Sequence, residues 1–263
     1  MKLIDSHCHI HESEFFVDNR EEVYQNAVAA DVAMICASTS VQASQEALDF
    51  CANHDGCYAL VGVHPHEAAT ETIADIGKML KNAQNGQETI YGIGEIGLDY
   101  FYMNSPRQAQ IAAFEQQLQW AQDYSLPVSF HVREDKKPEN GFVWDDFWPI
   151  LDNFHGIRGV LHSFTDVQTQ LDQGFSRGLY VGVNGISTFT KDAAQQELYA
   201  TIPLEKMLLE TDAPFLTPAP FRGKMNEPSF VGRVAEHMAT VRGVSLDLVS
   251  EATTVNARAL YSI

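Results

Sequence analysis

Positive charge is scarce in this chain. Lysine and arginine number 17 against 35 aspartates and glutamates, a formal net charge of -18 over 263 residues. Such a balance favours solubility and repels polyanions at long range. It excludes the broad basic face of an ordinary nucleic-acid binder. Two divalent ions in one cleft would oppose that field locally with about four positive charges. Cysteine is sparse as well: Cys8, Cys36, Cys51 and Cys57 form no CxxC pair. Reduced, mostly buried thiols in a cytoplasmic protein are expected, and nothing supports a Cys51–Cys57 bridge. No apolar run approaches the roughly 18 residues of a membrane span. The opening Met1–His11 stretch turns polar at once, unlike a signal peptide. No Gly/Ser linker or short repeat divides the chain, so one domain over residues 1–263 is expected. A chain of this length buries a core without staples, which makes any metal ligands functional rather than structural.

What is present is alternation. Short apolar, β-branched runs lie at Leu3–His7, Ala33–Ala37, Tyr58–Val63, Thr89–Ile96, Pro127–Val132, Gly159–His162, Leu179–Val183 and Met207–Glu210. Between them, helical periodicity marks Arg20–Ala30, Ala43–Asn53 and Arg107–Tyr124, and then Phe230–Arg242 and Ser245–Ala259. Gly243 reads as a C-terminal stop and Ser245 as an N-cap. About eight strands alternating with helices predict a parallel sheet, an α/β fold built as a single (β/α)8 TIM-type barrel. Asp135–Phe142, broken by Pro138 and Gly141, reads as an exposed loop after a strand.

Chemistry-bearing side chains fall at the ends of these runs. His7 and His9 lie two apart, so on a strand both face one way. Asp5 shares that face. Alone, a His-x-His is equally a pair of core residues. Yet Glu95 ends the fourth run, His131 the fifth and His162 the sixth, and Asp212 follows the eighth. In a barrel all of these gather on the C-terminal rim, where such folds keep their active sites. Converging buried histidines and carboxylates need a compensating charge, and imidazole with carboxylate suits zinc, manganese or iron. Six ligands exceed one tetrahedral site. With Glu95 shared, two ions would sit about 3.5–4 Å apart over a common water.

Other residues leave alternatives open. His64 and His66 follow the third strand and either hydrogen-bond a substrate phosphate or are plain loop histidines. Arg133 either contacts substrate or pairs with Glu134 or Asp135. Arg222, Lys224 and Asn226 either position a phosphate or form a solvated loop. Asp99 orients a ligand or caps the next helix. His11, His54, His155 and His237 read as surface or helix residues, with His11 the nearest to the ligand set. Trp144 and Trp148, one helical turn apart, read as core packing rather than a base-stacking platform.

Taken together, Asp5–His9, Gly62–His66, Gly94–Asp99, His131–Arg133, His162–Phe164, Glu210–Pro214 and Arg222–Pro228 resemble the TatD family of metal-dependent deoxyribonucleases, nearly end to end. Carried over residue by residue, the resemblance implies a first ion on His7, His9, Glu95 and Asp212, and a second on Glu95, His131 and His162. As an acid beside the shared water, Asp212 is the candidate general base, and Glu95 is also a candidate catalytic residue. The resemblance implies magnesium or manganese as working ions, while His-rich ligation itself suits zinc or manganese in affinity, so zinc is possible as bound. The substrate it implies is DNA, cleaved from the 3′ end of single strands, with a part in repair. Two departures stand out: Lys136–Gly141 looks inserted, and Asp166 stands where a glycine is common. Another hydrolase on the same metals, acting on a lactone, an aminoacyl-tRNA ester or a small phosphoester, is the alternative that fold alone does not separate. Oligomeric state is not legible.

Overall fold

The predicted alternation is what the computed structural model of the chain contains. It describes residues 2–135 and 141–263. Eight strands follow one another in chain order across a single sheet, parallel at every pairing described. This is the topology of a (β/α)8 barrel. The predicted loop at Asp135–Phe142 lies mostly outside the described residues. Two compact units make up the chain.

The first unit comprises Met1–Cys36, His54–Cys57 and His162–Ile263. It holds β1 (Leu3–Cys8), α1 (Arg20–Ala29) and β2 (Val32–Cys36). Its later strands are β7 (Tyr180–Val183) and β8 (Met207–Leu209). Its later helices are α6 (Gln168–Ser176), α7 (Ala193–Thr201), α8 (Val231–Arg242) and α9 (Leu246–Tyr261). Both faces of β1 and β2 are buried, as apolar strands of parallel sheets require. Helix α9 packs on β1 and β8, and Asn256 ties it there by donating to the Leu204 and Met207 carbonyls at 2.7 and 2.9 Å. Gly243 ends α8 in the left-handed conformation, and the Ser245 hydroxyl caps α9, both as the sequence indicates.

The second unit comprises Ala37–Asn53 and Tyr58–Leu161. It holds α2 (Val41–Asn53), α3 (Ala74–Gln84), β4 (Gly92–Asp99) and α4 (Arg107–Tyr124). Next come β5 (Val128–Arg133), α5 (Val143–Asp152) and β6 (Gly159–Leu161). All but the first residue of β3 (Cys57–Val61) also lies here. Strand β4 pairs with β5 with a register shift between Ile93 and Ile96. A bulge there re-aims the following side chain, and that side chain is Glu95. Phe114, Phe130 and Phe147 form the core between α4, β5 and α5. Trp144 and Trp148 stack at 5.1 Å and are buried, so they are core, as expected.

Helices α4 and α5 are also clamped electrostatically. Arg107 donates twice to the Asp146 carboxylate at 2.7 Å, and the Tyr100 hydroxyl donates to the same group. Burial alone would raise the Asp146 pKa, but the hydrogen bonds from Arg107 and Tyr100 hold it below its ordinary value. A depressed carboxylate stabilises the fold above the unfolded pKa, about 3.9, and loses that contribution as pH falls through the folded one. Asp146→Asn should therefore cost about 1–2 kcal/mol near neutrality, allowing for solvent around Arg107. The gap from wild type should close below about pH 4. Urea melts across pH 3–7 measure it, and a gap constant with pH would refute the ionic contribution.

Candidate active site

In the first unit the site begins with a backbone arrangement. The Asp212 amide donates to the His7 carbonyl at 2.9 Å, and the His9 amide donates to the Ala213 carbonyl at 2.9 Å. The segment after β8 thus extends the sheet alongside the end of β1. Asp5, fully buried, accepts the Thr211 amide at 2.8 Å and its hydroxyl at 2.5 Å. Asp212 follows with φ 58, a left-handed conformation that costs free energy and recurs where a side chain is held for function.

The result is convergence on one oxygen. Nε2 of His9, His162 and His7 lies 3.3, 3.8 and 3.9 Å from Oδ1 of Asp212. His7 and His162 stack at 3.5 Å. Donor atoms of His7, His162 and Asp212 all fall within 4.8 Å of one another. Behind the rings stand carboxylates. His9 Nδ1 is 3.0 Å from Glu12, and His162 Nδ1 is 3.0 Å from Glu210. Such partners select the tautomer that leaves Nε2 able to ligate. Glu210 has room only because residue 182 is glycine: a Cβ there would come within 2.2 Å of its carboxylate. Burial would lower the His9 pKa, yet the hydrogen bonds to Asp212 and Glu12 raise it well above the ordinary value. Burial would raise that of Asp212, and His9 followed by His162 lowers it.

The second unit builds its own group around Glu95 and Asp99. His131 Nδ1 is 2.6 Å from Glu95 Oε1, and its Nε2 is 3.0 Å from Asp99 Oδ2. His66 Nε2 reaches the same Asp99 oxygen at 2.9 Å. His64 Nε2 lies 3.5 Å from Glu95, while its Nδ1 accepts the His66 amide at 3.1 Å. Donors of His64, Glu95 and His131 again lie within 4.8 Å of one another. Burial opposes charge on His131, but Asp99 and then Glu95 raise its pKa to about 9. Burial, followed by repulsion from His131, lowers His64 to about 4. Asp99 would be raised by burial but is held far below the carboxylate range by His131 and then His66. Each group therefore draws positive charge to its carboxylate, and its nitrogen and oxygen donors are those that zinc, manganese and iron accept. The residues fit a divalent ion.

Several sequence expectations change here. His11, expected at the surface, is fully buried. Burial, reinforced by His9 and His7, pushes its pKa well below the ordinary value. Asn226 is no surface contact: it is buried and donates to the Thr211 and Phe215 carbonyls at 2.8 and 2.5 Å, anchoring the loop behind Asp212. Arg222 donates to the Thr217 carbonyl at 2.9 Å and lies 3.8 Å over the Phe189 ring. Lys224 is exposed beside Phe221. Arg133 lies over the Phe101 and Tyr102 rings. Among the described residues it forms no ion pair, while Glu134 accepts the Asp135 and Val143 amides. Asp166 accepts the Val167 amide. Glu12 and Glu210 were missed. Their only sequence signals are a spacing of three from His9 and a place two before Asp212.

The model of the TatD related DNase family matches residues 4–262. A 3′-5′ ssDNA/RNA exonuclease, TatD of Salmonella typhimurium, is 34% identical over 95% of this chain and 96% of its own. YabD of Bacillus subtilis, an uncharacterized metal-dependent hydrolase, is 31% identical over 99% of both. The crystal structure of YjjV, a TatD homologue from Escherichia coli K12, superposes with a TM-score of 0.87 at 26% identity, covering 100% of this chain and 98% of its own.

Proposed function

Because the chain belongs to the family of TatD-related DNases and is a metal-dependent hydrolase, we propose that it removes nucleotides from the 3′ ends of single-stranded DNA. In this reading one catalytic domain spans residues 1–263. It works in the cytoplasm, in the repair of DNA ends. Among the described residues no helix is long and apolar enough to cross a membrane. The observation that supports the reading most is the convergence of three imidazole Nε2 atoms on one Asp212 oxygen.

His7, His9, Glu95, His131, His162 and Asp212 are the proposed ligands of two divalent ions, magnesium or manganese for turnover and zinc where it is retained. When bound, such ions acidify water and draw charge from a phosphate under attack. Asp212 takes the proton of the attacking water. Glu12 and Glu210 keep His9 and His162 turned with Nε2 inward. Asp99 holds His131 the other way round, by its Nε2, so that Nδ1 faces Glu95, and it holds His66 where it can meet a phosphate oxygen. His64 is positioned against Glu95. Arg133, Arg222 and Lys224 are the cations assigned to the strand's phosphates. A chain of net charge -18 meets long polyanions poorly, and this favours short ends over duplex.

The test is shortening of a 5′-labelled single-stranded oligonucleotide by metal-stripped protein, before and after magnesium or manganese is restored. A metal-dependent ladder from the 3′ end is expected, on DNA and, as for the named exonucleases, on an RNA strand in parallel. No shortening with metal bound, alongside hydrolysis of a lactone or an aminoacyl ester, would transfer the site to another ester. Asp99→Asn should loosen metal retention and lower turnover about 10–100-fold. Chelator titration and steady-state kinetics read this, and unchanged metal affinity would remove its orienting role.

A further inference from the structure

Beyond the ligand groups, the loop after β4 presents two large rings to solvent. Phe101 is 42% and Tyr102 is 53% exposed. They meet edge to face at 4.8 Å. The Arg133 guanidinium lies 4.5 Å over the Phe101 ring and 4.8 Å over that of Tyr102. It covers part of each ring, and both residues still keep about half of their surface in solvent. Exposing adjacent aromatic surface is unfavourable unless something uses it.

These rings are not on a loose tip. Asp99 Oδ1 accepts the amides of both Phe101 and Tyr102, at 3.0 and 2.8 Å. Its other oxygen, Oδ2, meets His66 and His131. One carboxylate thus fixes the rings and the imidazoles together, and the Tyr102 ring stands 5.5 Å from that of His66, perpendicular to it. Whatever lies on Tyr102 is held at a set place relative to His66 and His131.

Charge says what that occupant is. The chain repels polyanions at long range, so affinity for a strand end cannot rest on its phosphates alone. A nucleobase is neutral and planar, every base has a π face, and stacking on aromatic side chains is the sequence-tolerant way to hold single strands. A cation over the ring adds to such platforms. We infer that Phe101 and Tyr102, braced by Arg133, form a stacking platform for an unpaired nucleobase at the end of the substrate strand, next to the bond that is cleaved. The inference rests on the nuclease reading and deepens it: it makes the enzyme require a base, not merely a phosphodiester.

The experiment compares an intact single-stranded oligonucleotide with one carrying abasic tetrahydrofuran residues at its last two 3′ positions. Wild type should prefer the intact strand by about 10-fold in kcat/KM, chiefly through KM. Tyr102→Ala should collapse that preference towards unity, Phe101→Ala should reduce it, and Tyr102→Phe should restore it. A preference that Tyr102→Ala leaves untouched, or no preference in wild type, would overturn the platform. A 3′-terminal 2-aminopurine strand added to metal-free protein gives a readout independent of hydrolysis. Quenching by wild type that Tyr102→Ala lacks supports the platform even if no strand is cleaved, in which case only the nuclease reading falls. Equal fluorescence with both proteins would refute it.

Discussion

Asp212→Asn should lower kcat by about 10³-fold or more while leaving thermal unfolding close to that of wild type. The asparagine version is the informative one. Asp212 sits at φ 58, a region that asparagine tolerates and alanine resists at about 1–2 kcal/mol, so asparagine removes the charge and keeps the turn. What is lost is the oxygen on which three Nε2 atoms converge and the acceptor for a proton. Asp212→Ala should be as inactive, with a small loss of stability added. Glu95→Ala belongs with them: His131 would keep Asp99 at 3.0 Å, so the strand end stays supported while turnover disappears. Circular dichroism melts together with single-turnover strand cleavage separate the two effects. Near-normal activity in any of these variants would sink the ligand assignment.

Gly97→Ala should destabilise the protein by about 3 kcal/mol or more. Gly97 has φ 147 and stands opposite His131 in the β4–β5 register. A Cβ there would lie 1.9 Å from the His131 carbonyl oxygen. The neighbour is backbone, not the end of a flexible side chain, so β5 must move bodily, and His131 with it. The variant should melt roughly 10 °C lower and lose activity out of proportion to its folded fraction. A urea titration measures the first and assays normalised to folded protein the second. Wild-type stability would mean that the β4–β5 pairing is looser than its register indicates.

Much of this was written locally. Both faces of most strands are buried, so they appear as uninterrupted apolar runs, and their ends stand out because polar ligand-type residues follow at once. That is why β1 through β8 could be placed to within a few residues, and α4 over Arg107–Tyr124 at its observed ends. The helices that went unnoticed, α3, α5, α6 and α7, bury few side chains or follow a polar stretch. Buried residues are only Leu171 and Gly174 in α6, and Leu198 and Tyr199 in α7, too few to show a period.

The sequence by itself determined the alternation of strands and helices, the (β/α)8 topology and the residue types gathered at the strand ends, because all of these follow from patterns a few residues long. Only the tertiary structure decided which carboxylate stands behind which imidazole. It put Glu210 behind His162 and Asp5 against Thr211, buried His11 and Asn226, and laid Arg133 across two rings. Asp5 and Thr211 are 206 residues apart. A hydrogen bond over that separation is fixed by how the chain folds back on itself, and no local spacing encodes it.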